Sequence, residues 1–362
     1  MFRPLTAIVL AASLGFAPVA NACTGITLTA KDGTGVAGRT MEFGMPIDWH
    51  VAVVPAGTRV TPELPEGSGG LTYETRYGIA GMTAYETTDF VDGINEEGLY
   101  VGLFYFPGYA SYPDLSDANR AKALAPQQYA TWLLGNFATV EEVKAHFDDI
   151  VLVAAEFKQM GQVIPMHIRV VDKTGTAIVI EPTDKTLKIF DAPLGVITNS
   201  PTYDWHMTNL SNFVNLSPLN VPPVKLDGVE LQAAGQGAGM HGLPGDFTPP
   251  SRFIRAAVFS QSAIPVETGA EVLEQAFHIL NTFDIPYGAV RGEENGKVAP
   301  DYTQWTAVAD MTNVTWTVKT YDAQDLRVVD VKAALAAAGG KVVHIDSKQW
   351  SQSFTDISSD FK

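Results

Sequence analysis

The chain has 362 residues, 46% of them apolar and 18% charged, and a formal charge of −16 at pH 7. That length buries a large core, as one big domain or two smaller ones. The acidity argues against a nucleic-acid binder, which neutralises phosphates with clustered Lys and Arg, and no internal run reaches the roughly 18 apolar residues of a membrane helix.

Residues 1–22, MFRPLTAIVLAASLGFAPVANA, read as an export signal. Arg3 supplies the positive start, Leu5 to Phe16 the apolar stretch, and Ala20 and Ala22 an A-x-A cleavage site. The expected mature chain starts at Cys23, the single cysteine. With no second thiol there is no intramolecular disulfide, so the fold must hold by its core.

A cysteine at this junction has three uses. As a lipid attachment point it would want Leu three positions earlier, where Ala20 stands; the outcome would be a lipid-anchored binding protein. As a small buried hydrophobe it would be inert. As a new N-terminus it would hold a thiol (pKa about 8.5) and a free α-amine (pKa about 8) in one residue. The amine then takes the thiol proton and later returns it to a leaving group. An amide nitrogen is no base, so the uncut chain cannot do this.

Downstream the pattern is mostly β. TGITLTA alternates, DGTG turns, and VAGRTMEF, HVAVVPAG and YGIAGMTA resume as strands. Residues 89–108 read as a hairpin turning at Asn95–Gly98. PQQYATWLLGNF has helical spacing with Pro126 at its start, and Thr139 caps a second helix. Short strands are expected near 150–155, 166–171, 176–181 and 186–190. Residues 212–250 are rich in Pro and Gly and aperiodic, the mark of a functional or interfacial loop. Helices are predicted over Pro250–Gln261 and Glu267–Phe283, a hairpin around Asn313, and a short terminal helix ending at Gly339. Without repeats or a clear linker, this is one domain of mixed α and β structure.

Other motifs are weak. Gly235, Gly237, Gly239 and Gly242 lack the strand and helix that a dinucleotide site needs. No G-x-S-x-G elbow occurs. The seven histidines (His50, His146, His167, His206, His241, His278 and His344) show no zinc spacing. A papain-like partner for Cys23 would be His50, without local support. More informative are polar residues within apolar runs. In VAGRTMEFG, Arg39 shares a face with Met41 and Phe43, and Glu42 takes the other; an edge-strand ion pair is the plain alternative. Asn199 ends an apolar run and suits an oxyanion donor or a turn cap. Arg252, near a helix start, reads by itself as a surface residue.

Taken together, CTGITL from Cys23, GRTMEF at 38–43, DGINEEGLYVGLFYFPGYASY at 92–112, VITNSPTYDWH at 196–206, NLSPL at 215–219 and GLPGDFTPPSRFIRAA at 242–257 resemble the choloylglycine hydrolase and penicillin V acylase family of N-terminal nucleophile hydrolases. The resemblance spans nearly all of residues 23–362. It implies an α+β fold, a four-layer αββα sandwich, and a catalytic set of Cys23, Arg39, Glu42, Tyr105, Asn199 and Arg252. Cys23 would be the nucleophile and Arg39 the cation beside it. Glu42 stands where the family usually has Asp against the α-amine. Tyr105, often Asn in bile-salt hydrolases, would form the oxyanion hole with Asn199, and Arg252 would be a second active-site arginine. Residues 212–245 would be an assembly loop of a homotetramer. The expected activity is hydrolysis of linear amides with penicillin V first, and bile salts or N-acyl homoserine lactones as alternatives. No cofactor, metal or nucleic acid is expected; the substrate is a small amide, and the location exported and periplasmic, with no membrane association after cleavage. Met41, Phe43, Met45, Ile47, Trp49 and Phe106 are the expected acyl-pocket residues.

Overall fold

The computed structural model describes residues 22–65, 69–294 and 297–361. The expected export signal, apart from Ala22, lies outside the described residues. Two antiparallel sheets face each other. The first runs β1 (Cys23–Thr29), β2 (Gly35–Phe43), Lys297–Asp310, Thr315–Thr320 and Arg327–Asp330, with Val290–Glu294 paired to the long strand. The second runs Thr186–Asp191, Ala177–Thr183, Met166–Val171, Tyr100–Tyr105, Phe90–Asn95, Ile79–Ala84, Trp49–Val54 and Val343–Asp346.

Six α-helices are described: α1 Tyr129–Asn136, α2 Val140–Ala145, α3 Tyr203–Leu210, α4 Pro249–Ser262, α5 Gly269–Leu280 and α6 Val331–Ala338. Helices α4 and α5 pack on the outer face of the first sheet, and α1 on that of the second. The layers are therefore α, β, β, α, as the resemblance implies. Interior strands are covered on both faces, so they lose the in–out alternation of a half-exposed sheet. Eight of the nine residues of β2 are buried. This is why Arg39 and Glu42, on opposite faces, are both wholly inside.

Local chemistry sets the element ends. Thr139 Oγ1 accepts from the Glu142 N–H. Thr268 and Glu271 form a reciprocal capping box at α5. Pro249 opens α4, Gly98 takes φ 90° in the expected hairpin turn, and Gly339 takes φ 59° after α6. The Pro126 segment starts as a 3-10 turn and becomes α-helical at Tyr129. The expected strand near 150–155 shrinks to Val151–Leu152. The aperiodic stretch contains an exposed hairpin, Val224–Leu226 against Val229–Leu231, whose side chains reach no core that would impose a clear pattern.

Candidate active site

Cys23 opens β1 and is 1% exposed. Its register partner is Met41, and the two sulfurs lie 3.9 Å apart. Two residues on, Gly25 exchanges backbone hydrogen bonds with Ile197 at 2.8 and 3.1 Å. A Cβ at Gly25 would sit 2.8 Å from the Phe104 ring and 2.9 Å from Ile197, so only glycine lets the two segments meet. That bridge carries Asn199 to the nucleophile.

In the uncut chain the Cys23 N–H donates to Asn199 Oδ1 at 2.8 Å. Arg252 Nη2 donates to the same oxygen at 2.7 Å. Both donors fix the amide orientation, which turns Nδ2 onto the Tyr105 carbonyl at 2.7 Å. One of the two Nδ2 hydrogens remains for another acceptor. The Ala22 carbonyl accepts from the Glu42 N–H at 2.9 Å.

Each face of the first sheet brings an arginine to Cys23. Between the sheets, Arg39 donates to the Leu103 carbonyl, to Thr40 O at 3.2 Å and to Val91 O at 3.4 Å. Its guanidinium lies 4.2 Å from the Phe104 ring centroid. On the helix side, Arg252 of α4 donates to the Cys23 carbonyl and to Thr24 Oγ1 at 2.9 Å. Neither arginine is at an edge or on the surface; both are 0% exposed. Among the described residues Arg39 makes no ion pair with a carboxylate, unlike the edge-strand alternative.

Glu42 faces Arg252. Its Oε1 accepts from Thr303 Oγ1 at 3.0 Å, and its Oε2 is buried without a partner. Burial pushes the Glu42 carboxyl up to about 8, against the pull of Arg252. Burial likewise lifts Asp301, two residues before Thr303, to about 7. The Cys23 thiol is raised by burial; Arg39 is the chief opposing influence, Glu42 adds to the rise, and Arg252 opposes it.

A narrow apolar cavity opens from Cys23 between the sheets. Of the residues expected around an acyl group, Met41, Phe43, Ile47 and Trp49 line it, and Tyr105, expected at the oxyanion hole, lines it too. Met45 and Phe106 do not. Met45 is 45% exposed. Phe106 follows Tyr105 on the opposite face and stacks on His167 at 4.3 Å. Tyr105 meets Phe43 edge to face at 5.9 Å.

Several supporting residues escaped the sequence reading. Asp301 carries no motif. Gln304 pins the cavity lip, accepting from Trp49 Nε1 at 2.7 Å and donating to the carbonyls of Phe43 and Met45 at 3.0 and 2.8 Å. His206 Nε2 bonds Asn199 O at 2.9 Å; burial lowers its pKa to about 4, so it stays neutral and donates. Arg169 fastens β2 to the 195 turn through Gly38 O and Gly195 O. The signal for Arg169 was present, a charge in the apolar strand MHIRVV, the same one that singled out Arg39.

Residues 23–339 match the model of the choloylglycine hydrolase family of linear amide C–N hydrolases. The chain belongs to this family. Bile salt hydrolase/transferase of Clostridium perfringens is 34% identical over 311 residues, covering 85% of this chain and 92% of that one. A solved variant of conjugated bile acid hydrolase from Clostridium perfringens superposes with a TM-score of 0.83 at 31% identity, covering 93% of this chain and all of that one (100%). Penicillin V acylase from Agrobacterium tumefaciens shares the fold, with a TM-score of 0.73 at 21% identity over 91% of this chain and 95% of that one. The family hydrolyses linear amides, so the enzyme class is that of a C–N hydrolase and the substrate is a small amide.

Proposed function

We propose that this choloylglycine hydrolase family member acts through Cys23 as an N-terminal nucleophile, once residues 1–22 have been removed on export to the periplasm. The observation that carries the reading is the meeting of four groups at Cys23: Asn199, Arg39, Arg252 and the mouth of an apolar cavity. Cleavage turns the Cys23 amide into an amine. The amine takes the thiol proton, and its ammonium form adds a cation that favours thiolate. The ammonium also brings donors that an amide lacks, and we assign Glu42 Oε2, buried and unmatched, as their acceptor.

The thiolate attacks the substrate carbonyl, and the tetrahedral oxyanion takes the remaining Asn199 Nδ2 hydrogen with Tyr105 shaping the site. The C–N bond breaks as the ammonium protonates the leaving amine, and a thioester remains. Water, deprotonated by the same amine, then releases the acid. The aromatic edge of Phe43 and Tyr105 at the cavity supports an aryloxyacetyl acyl group, as in penicillin V. Conjugated bile acids are the second reading, favoured by the identity to bile salt hydrolase. N-acyl homoserine lactones are the third. Comparison of kcat/KM for penicillin V, glycocholate and a long-chain acyl homoserine lactone ranks them, and a clear preference for glycocholate reverses the first two. Cys23→Ala is expected to abolish turnover with the fold intact; residual turnover in that variant refutes the mechanism. Intact mass distinguishes a plain chain beginning at Cys23 from a lipid-anchored one.

We further infer a homotetramer assembled through residues 212–245. Support comes from the apolar side chains that this segment leaves in solvent, among them Val214 at 85% and Leu219 at 75% exposure. Sedimentation of the chain with and without Leu226→Ser and Leu231→Ser checks it; an unchanged tetramer excludes the hairpin from the interface.

A further inference from the structure

The cavity wall is carbon almost throughout, with Met41, Trp49, Leu103 and Met166 among its residues, yet Asp89 and Gln127 also line it. Neither belongs to the cluster around Cys23. The carboxylate felt by the thiol is Glu42, and the one felt by Asp89 is Glu63. Asp89 lies two residues before Val91, whose carbonyl faces Arg39, a displacement of roughly 7 Å along an extended chain.

This polar end is a built site. Gln127 Nε2 donates to Glu63 Oε2 at 3.1 Å, which directs Oε1 away from Glu63. Glu63 is held in turn by Gln128, whose Oε1 accepts the Glu63 N–H at 2.8 Å and whose Nε2 donates to Thr61 O at 2.9 Å. Asp89 and Gln127 are 4% and 5% exposed, and Asp89 Oδ2 and Gln127 Oε1 are both buried and receive no hydrogen bond among the described residues. Tyr73 Oη is buried and unmatched too, and it senses the charge of Asp89. Burial and the hydrogen bond to Glu63 raise Asp89 far above the carboxylate range. Asp89 Oδ2 therefore meets the cavity as an acceptor on a carboxyl group whose ionisation burial disfavours.

Buried acceptors without donors are costly, and an apolar wall gives no reason to retain them. We propose that Asp89 and Gln127 recognise hydroxyl groups on the substrate's acyl part, so that the enzyme prefers an acyl group that is apolar along its length and carries O–H donors. The proposal rests on the amide-hydrolase reading for the placement of the acyl group in this cavity. An ammonium at the same place would lose its hydration to carbon walls beside a carboxyl group whose ionisation burial disfavours, so the selected donor is a neutral hydroxyl.

Matched substrates test it: ω-hydroxy and plain straight-chain acyl glycines, and para-hydroxyphenoxyacetyl and phenoxyacetyl glycines. In the mature enzyme the hydroxylated member of at least one pair is expected to have a kcat/KM about tenfold higher or more. In Gln127→Met that ratio should fall to about twofold or less. Calorimetric binding of the same ligands to the Cys23→Ala protein reads recognition apart from chemistry, and the same preference is expected there. Equal rates and affinities within both pairs, or preference for the plain member or for an ω-amino acyl glycine, overturn the proposal. If nothing is hydrolysed but the binding preference survives in Cys23→Ala, the recognition stands and the hydrolase reading falls. If both members are hydrolysed equally, the hydrolase reading stands and the recognition falls.

Discussion

Arg39 and Arg252 are both wholly buried beside Cys23, on opposite faces of one sheet, and their surroundings differ. Arg39 is held by carbonyl oxygens and aromatic faces. Arg252 is held by Asn199, Thr24 and the Cys23 carbonyl, with Glu42 and Asp301 acting on it electrostatically. Arg39 is held by dipoles and acts on one carboxyl group, Asp92, so more of its field reaches the nearby thiol; Arg252 divides its field between two, Glu42 and Asp301. The first arrangement suits control of a nucleophile. The second suits the holding of a scaffold, because Arg252 also ties β1 to Asn199.

Four experiments can break or sharpen that contrast. Asn199→Ala removes the group that Arg252 orients and an oxyanion donor with it, so kcat should fall about 10²–10³-fold; a fall under tenfold would leave Asn199 as a spacer. Next, pH profiles of thiol alkylation should shift upward more in Arg39→Gln than in Arg252→Gln, by about one unit or more, since Arg39 is the chief cation acting on the thiol. Equal shifts would erase the distinction between the two faces. Stability should show the reverse order, with Arg252→Gln costing about 1–3 kcal/mol or more because it takes a buried donor from Asn199, Thr24 and the Cys23 carbonyl.

The third experiment follows the carboxyl groups. Glu42 has its folded pKa raised from 4.5 to about 8, so the native state binds the extra proton through that interval. Stability contributed by the neutral form is complete below about 4.5 and is lost as pH rises towards 8. Denaturant titrations of the wild type should weaken across that window, and Glu42→Gln should flatten the slope; Asp301, raised to about 7, adds a similar loss from 3.8 upward. An unchanged slope in Glu42→Gln would mean that the carboxylate is satisfied as an ion. The smallest effect is expected for Tyr105→Asn, which opens the cavity beside Phe43. It should alter the ratio of kcat/KM for penicillin V and glycocholate by severalfold while the thiol profile stays in place.

Much of the scaffold was legible because local chemistry and tertiary structure agree. Thr139, Gly98 and Gly339 act where their side chains or φ angles predict, whereas the helices expected from Pro250 and Glu267 begin at Pro249 and, after the Thr268 cap, at Gly269. The catalytic candidates Arg39 and Glu42 stood out as charges in an apolar run. Arg252 did not, since a charge at a helix start is usually solvated; only the family resemblance raised it. Phe106 was assigned to the cavity because hydrophobicity does not say which face of a strand lies towards a substrate. Asp89 and Gln127 were passed over because a polar residue beside a turn is ordinary until it is found inside.

The sequence by itself determined the thiol at residue 23, the polar residues that stand against apolar neighbours, and the ends of the principal helices, because each depends on a few adjacent residues. Tertiary structure decided what those residues face. It placed Arg39 between the sheets and Arg252 outside them, brought Asn199 to Cys23 across 176 positions, and set unmatched acceptors in an apolar wall. Such arrangements follow from the packing of two sheets and their helices, and burial, which sets the strength of every charge at the site, exists only once those layers have closed.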